Sequence, residues 1–240
     1  MKRGDFMENK SKIIDAIKSN NTWESMRELD KSGVLETVIP EVCSMKEVGQ
    51  CKYHKVDCFN HTIYAIEEFE KLIKENKFPK HLNDSIWQYL NTTVENNIKI
   101  LDLLKLGIFL HDIGKYKAKT IDQNGRVHFK GHEIFSGEIS RKVGKDLNLS
   151  EKSIEVLYNY TRYHMYLLTI YKKSNASYEV LKEMFDKFQD DVIGLMLLGF
   201  ADIIATKRLL EPKEDEEILK SYVYYILTVY VYKYKTNVSF

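Results

Sequence analysis

The chain has 240 residues, enough for one large domain or two small ones. Its formal net charge of +1 gives no general attraction to nucleic acid or to an anionic membrane, so any anionic substrate must be held by local charge. Only 3 prolines and 11 glycines argue against a protein of many short strands and turns. Cys43, Cys51 and Cys58 are odd in number and lack CxxC spacing, which excludes a disulfide framework and points to a reducing compartment.

Residues 1–10 are polar, without the apolar core of a signal peptide, and read as a frayed end. Residues 11–30 carry Ile13, Ile14, Ile17, Met26 and Leu29 among charges, which predicts one or two amphipathic helices. Gly33 and Pro40 punctuate a short helix and a loop over residues 34–50. Asp57 is the N-cap candidate of a helix over about 58–76, with Ile63, Ile66, Phe69, Leu72 and Ile73 on one side. His61 falls at the edge of its buried face, where a histidine is more often a satisfied core residue than a ligand. Residues 78–91 are less regular, and His81 reads as a solvated loop residue.

The stretch LDLLKLGIFLHDIGK, residues 101–115, is the one around which the rest is organised. It belongs to a helix over about 94–113 that is apolar nearly all round and therefore buried. A buried helix should not end in adjacent ionisable groups unless they are paired or bind a metal, so His111 and Asp112 stand out. A buried His–Asp hydrogen bond is the plain alternative. Gly114 offers a left-handed helix cap, and Lys115 follows it.

Asn124-Gly125 is a turn signal between residues 119–122 and 127–130, which predicts a small hairpin with His128 solvated. Gly131 precedes a helix over 132–146 that opens with His132. Ser150 caps the next helix, which ends near His164 in RYHM. Residues 165–175 read as a connection and 178–188 as an amphipathic helix. Residues 191–210 form a second strongly apolar helix with Asp202 deep inside it, a placement that is costly without a cation. The last helix starts within 211–220 and runs through a tyrosine-rich stretch to about 235. The longest apolar run, 222–232, is about half of a membrane span, so no membrane segment is expected and the chain reads as cytoplasmic. The whole predicts an all-α bundle of about eight to ten helices. An N-terminal extension, 1–50, and a main domain, 51–240, make one compact unit.

Individually these ionisable residues have ordinary explanations. Together they put four imidazoles and two carboxylates on helix positions that can face one centre. The order His61, His111-Asp112, Asp202 resembles the His…His-Asp…Asp pattern of the HD-domain superfamily of metal-dependent phosphohydrolases. His132 in GHE and His164 in RYHM match the extra ligands of members that bind two metals. SGVLETVIPEV…GQ…YHKVDCFNHT, LGIFLHDIGK, GHEIFSG and RYHM are similar to the HD domain of bacterial tRNA nucleotidyltransferases, over roughly residues 28–210. The glycine-serine motif and the aspartate pair of the nucleotidyltransferase head are not found, so transfer of nucleotides onto tRNA is not implied.

The resemblance implies an HD-domain helical bundle acting as a phosphohydrolase module on its own. Its binuclear metal site takes one or two divalent transition metal ions, with Mn, Fe, Co, Ni or Zn suiting an imidazole-rich, thiolate-free donor set. With two carboxylates available, Asp112 is the natural bridge. Asp202 completes one of the two metals, with His61 and His111 on the first and His132 and His164 on the second. A metal-activated hydroxide then cleaves a phosphomonoester or phosphodiester of a nucleotide-like substrate. The resemblance also implies that Lys115 faces the substrate phosphate, with His54 and Arg162 as further candidate substrate contacts. Two other readings share the ligands: a di-iron oxygenase, and a nucleotide-sensing or RNA-binding module without catalysis, against which the neutral charge weighs. Oligomeric state is open.

Overall fold

The computed structural model describes residues 3–49, 56–76, 78–210 and 216–238. Its helices in chain order are α1 (Arg3–Lys18), α2 (Thr22–Lys31), α3 (Val34–Val38), α4 (Glu41–Met45), α5 (Cys58–Glu75), α6 (Lys80–Leu90), α7 (Ile100–Leu110), α8 (Lys115–Ala118), α9 (His132–Asp146), α10 (Glu151–Tyr163), α11 (Tyr166–Lys172), α12 (Tyr178–Phe188), α13 (Val192–Leu210), α14 (Glu216–Val229) and α15 (Lys235–Val238). Two antiparallel hairpins interrupt them, β1 (Thr93–Glu95) with β2 (Ile98–Lys99) and β3 (Thr120–Ile121) with β4 (Val127–His128). The fold is all-α, as the shortage of turn residues and the helical periodicity require.

Two helices that are apolar on every face form the centre. α7 is buried from Asp102 to Leu110, and α13 from Val192 to Ala205. α5 and α11 pack on α13, α10 packs on α7, and α9 covers α10. The aromatic ring of Tyr160 on α10 lies so close to Gly194 of α13 that a Cβ there would strike it, so glycine is what lets these helices meet.

One polar tie binds the N-terminal helices to this centre. Lys105, buried in the middle of α7, donates to the Ser19 carbonyl just past α1 at 2.5 Å and lies 3.3 Å from Glu70 Oε1 on α5. The same Glu70 oxygen accepts the amide of Thr22, the first residue of α2, at 2.8 Å. One ion pair thus satisfies backbone groups that the end of α1 and the start of α2 leave without helical partners.

Several expectations need correction. α1 starts at Arg3, within the stretch read as frayed. Within residues 78–91, Lys80–Leu90 form a regular helix, α6, whose Leu82, Ile86 and Leu90 are buried at four-residue spacing. The central helix begins at Ile100 and not near 94, because Asn96 and Asn97, with φ of 34° and 61°, turn the β1–β2 hairpin before it. Asparagine tolerates this left-handed conformation, which explains the turn. Residues 166–172 are helical, burying Leu167 and Ile170. With α6 and α11 the described residues hold eleven helices of seven residues or more, against an expected eight to ten.

The C-terminal helix continues from α14 through one π turn at Tyr230–Tyr234 into α15. It buries Leu219, Val223, Ile226, Leu227, Tyr230 and Tyr234 within its own chain. No helix among the described residues is long and apolar enough to cross a membrane. His81 is exposed on α6 and bonds to Thr228 at 2.8 Å. His128 is also exposed, on β4, 3.0 Å from Asp122.

Replacing Lys105 by alanine leaves the Glu70 carboxylate buried without its cation. The expected cost is about 3–5 kcal/mol in urea unfolding. A loss below about 1 kcal/mol, the scale of an exposed pair, would contradict the tie.

Candidate metal centre

Each candidate ligand is placed by a helix end or a helix interior. Asp57 caps α5 by accepting the Asn60 amide at 2.8 Å, which sets the first turn and so His61. His111 and Asp112 stand in the turn that follows α7. Gly131, at φ 82°, turns the chain into α9 so that His132 is its first residue. His164 follows α10 directly, and Asp202 projects from the middle of α13. The six come from five separate elements, yet none is more than 9 % exposed.

Three of the histidines share one local device. His111, His132 and His164 each donate Nδ1–H to the carbonyl three residues back, on Ile108 at 2.7 Å, Phe129 at 2.9 Å and Thr161 at 2.8 Å. That bond fixes the tautomer and leaves the Nε2 lone pair pointing into the cluster. The Nε2 atoms of His132 and His164 face each other at 3.1 Å, where two lone pairs repel without a cation between them.

Asp112 occupies the middle. Its Oδ1 lies 3.0 Å from His132 Nε2 and 3.8 Å from His164 Nε2. Its Oδ2 lies 3.3 Å from His111 Nε2 and 3.6 Å from His61 Nε2. Asp202 Oδ1 is 2.9 Å from His61 Nε2 and 3.5 Å from His111 Nε2. Three sets have ligand atoms within 4.8 Å of one another: His61, His111 and Asp112; His111, His164 and Asp202; and Asp112, His132 and His164. His111 Nε2 is buried and makes no hydrogen bond. Imidazole nitrogens and carboxylate oxygens at these separations, with one ring nitrogen orphaned among them, fit a divalent transition metal.

The electrostatics agree. Burial pushes the Asp112 carboxyl up, but Lys115 and then His111 outweigh it and hold the group well below the usual carboxylate range. Burial acts likewise on Asp202, where His111 and His61 win. Burial lowers His164, and His111 and His132 lower it further, to about 3, so its ring is neutral. Burial also lowers His111, but Asp112 and Asp202 overcome this and raise it to about 10. Two buried carboxylates therefore draw positive charge to the nitrogen that has no hydrogen bond.

The next layer holds Asp112 in place. The buried Lys115 amine donates to Asp112 Oδ2 at 2.5 Å. Cys58 Sγ donates to the Asp112 carbonyl at 3.3 Å, and the Gly114 amide donates to Ser136 Oγ at 3.0 Å. Gly114 has φ of −79°, so it is not the left-handed cap expected of it. Its role is proximity: a Cβ would collide with the His132 carbonyl and the Ser136 amide, so only glycine lets α9 start against this turn. Sequence reasoning missed Cys58 and Ser136. Their signal, a polar side chain one turn from a ligand, is too common to single out.

Of the other candidates, Arg162 is half-buried at the edge of the His132–His164 side, 4.0 Å from Glu133, and is not one of the six. His54 lies outside the described residues. A cavity of about 1150 Å³ bounded by Trp23, Glu70, Trp87 and Lys105 is lined by none of the six.

The protein is all-helical and built around a buried centre of histidines and aspartates that could hold a metal ion. The HD domain model matches residues 94–219, more than half of the chain, so the chain belongs to the HD domain family. His61 precedes the matched residues but is drawn into the centre by α5. The chain is also 25 % identical over 214 residues to the CC-adding tRNA nucleotidyltransferase of Thermus thermophilus. That alignment takes in 89 % of this chain and 42 % of the relative, so the chain spans less than half of the relative's length.

Adding a divalent transition metal to chelator-treated protein should raise its thermal midpoint, by about 2.7 kcal/mol of stabilisation at a hundredfold excess over the dissociation constant. Asp112→Ala and His111→Ala should abolish the rise. Gly114→Ala keeps all six ligands and should still lose most of it, because α9 must retreat from the turn.

Proposed function

We propose that the protein is a metal-dependent phosphohydrolase cleaving a phosphomonoester or phosphodiester of a nucleotide-like substrate. In this reading His61, His111, Asp112 and Asp202 hold one divalent ion, from among Mn, Fe, Co, Ni and Zn. Asp112, His132 and His164 hold a second. The observation that carries the proposal is Asp112, whose two oxygens face two different pairs of imidazoles. A carboxylate so placed can serve two ions at once, the arrangement suited to phosphoryl transfer.

What such ions supply is charge: they acidify water and neutralise a phosphoryl group. The protein's part is to hold ligands and substrate. Lys115 keeps Asp112 oriented and is the nearest protein cation to a phosphate that reaches the centre. Burial lowers its amine, but Asp112 outweighs this and keeps it charged. Arg162, at the His132–His164 edge, and His54, in the segment before α5, are the further substrate contacts in this reading. Cys58 is no nucleophile, since burial and the neighbouring Asp112 push its thiol well up.

The relative's name concerns tRNA and nucleotides, which supports a nucleotide-like substrate. Nucleotide transfer is not part of the proposal. The same reading places the protein in the cytoplasm and treats residues 1–50 as an extension tied to the 51–240 domain by Lys105 and Glu70.

The test is hydrolysis of a panel of phosphomonoesters and phosphodiesters, nucleotides and cyclic nucleotides included, with each metal in turn. Turnover should fall by about 10³-fold or more in Asp112→Ala, and by about 10²-fold in Lys115→Ala, the scale of losing one charge-stabilising group. Absence of hydrolysis by metal-loaded protein across the panel would overturn the proposal.

A further inference from the structure

The surface beside the centre carries unspent charge. It is made of α8, the β3–β4 hairpin and the first turn of α9, and it is continuous with the ligands. Lys115, which opens α8, holds Asp112; the Phe129 carbonyl, just past β4, holds His132; and the Phe129 ring centre lies 5.8 Å from the Lys115 amine.

On this surface Lys117, Lys119, Arg126 and Lys130 are all exposed, and none pairs with a carboxylate among the described residues. Some cations elsewhere rest on acids, as Lys12, Lys142, Arg141 and Lys182 do on Glu8, Glu41, Glu155 and Asp186. Others, among them Lys18, Lys31, Lys145 and Lys152, are exposed without such a partner among the described residues, so what sets these four apart is their place beside the centre and among exposed rings. The hairpin's own acid, Asp122, is taken up by the amides of Asn124 and Arg126 and by His128. The same surface exposes Tyr116, Ile121, Ile134 and Phe135 by 39–64 %, half of the eight most exposed large apolar side chains described.

We propose that this surface docks a single strand of nucleic acid, running along Lys117, Lys119, Arg126 and Lys130 with bases against Tyr116 and Phe135 and one end directed at the metal centre. Unpaired cations interleaved with exposed rings are the combination that single strands use: phosphates meet the lysines and each base offers a flat face to stack. The net charge of +1 argues only against general attraction, and here positive charge is gathered on one surface beside a centre suited to phosphate. The inference deepens the phosphohydrolase reading by naming the class of its substrate, and its test requires no turnover.

The experiment is fluorescence anisotropy of labelled RNA and DNA strands of about ten nucleotides against the full chain, between about 50 and 200 mM salt. Binding that weakens as salt rises is expected. The triple variant Lys117→Glu, Lys119→Glu, Lys130→Glu should lose on the order of tenfold or more in affinity. Its salt slope should flatten by about 0.7 for each phosphate contact removed. Tyr116→Ala should weaken binding roughly five- to tenfold, the scale of one lost stacked base. Both variants should keep the metal-induced rise in thermal midpoint, which shows the centre intact. A preference for RNA or DNA would identify the strand's sugar. The proposal is overturned if neither strand binds at the lowest salt, if the triple variant binds as the parent does, or if only anionic lipid vesicles bind. Strand binding without hydrolysis of any phosphate ester would overturn the phosphohydrolase reading alone.

Discussion

The carboxylate of Asp112 is the constraint on which the rest of the structure depends. It is almost wholly buried, and an ionised group in that position must be surrounded by compensating charge or hydrogen bonds. The surroundings answer to it atom by atom. Lys115 takes one oxygen, the other faces the Nε2 atoms of His132 and His164, a position that suits a cation, and Cys58 fixes the carbonyl behind it. Gly114 and Ser136 then draw α9 against the same turn, so the element that bears His132 is located by the chain that bears Asp112.

The helices supply rigidity and the helix ends supply direction. Three times the chain leaves a helix or enters one through a histidine whose Nδ1 is tied to the carbonyl three residues earlier. A ring so tied cannot rotate freely, and its other nitrogen is aimed before any ion arrives. Asp202 reaches the centre from a helix interior, which is why α13 must cross at the heart of the bundle. The stabilities of fold and centre are therefore coupled. α13, apolar and buried along most of its length, carries Asp202, and the equally buried α7 ends at the turn that bears His111 and Asp112.

Much of this was readable from the sequence. The all-α class followed from periodicity and scarce turn residues. His111, Asp112 and Asp202 stood out by the cost of placing ionisable groups at the end of or inside apolar helices. His61, His132 and His164 had ordinary readings of their own and were picked out by their order in the chain and its resemblance to the HD domain. The structure brings these six together. What escaped was short-range or relational. α6 and α11 are partly exposed helices whose polar faces mask their apolar spacing. The β1–β2 turn rests on two asparagines with positive φ, where a glycine would have been the recognisable signal. Lys105 was not singled out, because its partners, Glu70 and the Ser19 carbonyl, are distant in sequence. Gly114 was noticed for its backbone freedom, but what requires glycine there is the closeness of α9, which only tertiary packing creates.

The central claim is that these six residues form one metal centre divided by Asp112. Crystals grown with manganese, with diffraction collected at the metal's absorption edge, test it most directly. The account predicts anomalous peaks on both sides of Asp112, one bounded by His61, His111 and Asp202 and the other by His132 and His164. An absence of peaks among these residues at full manganese occupancy elsewhere in the crystal, or peaks ligated only by surface carboxylates, would contradict it.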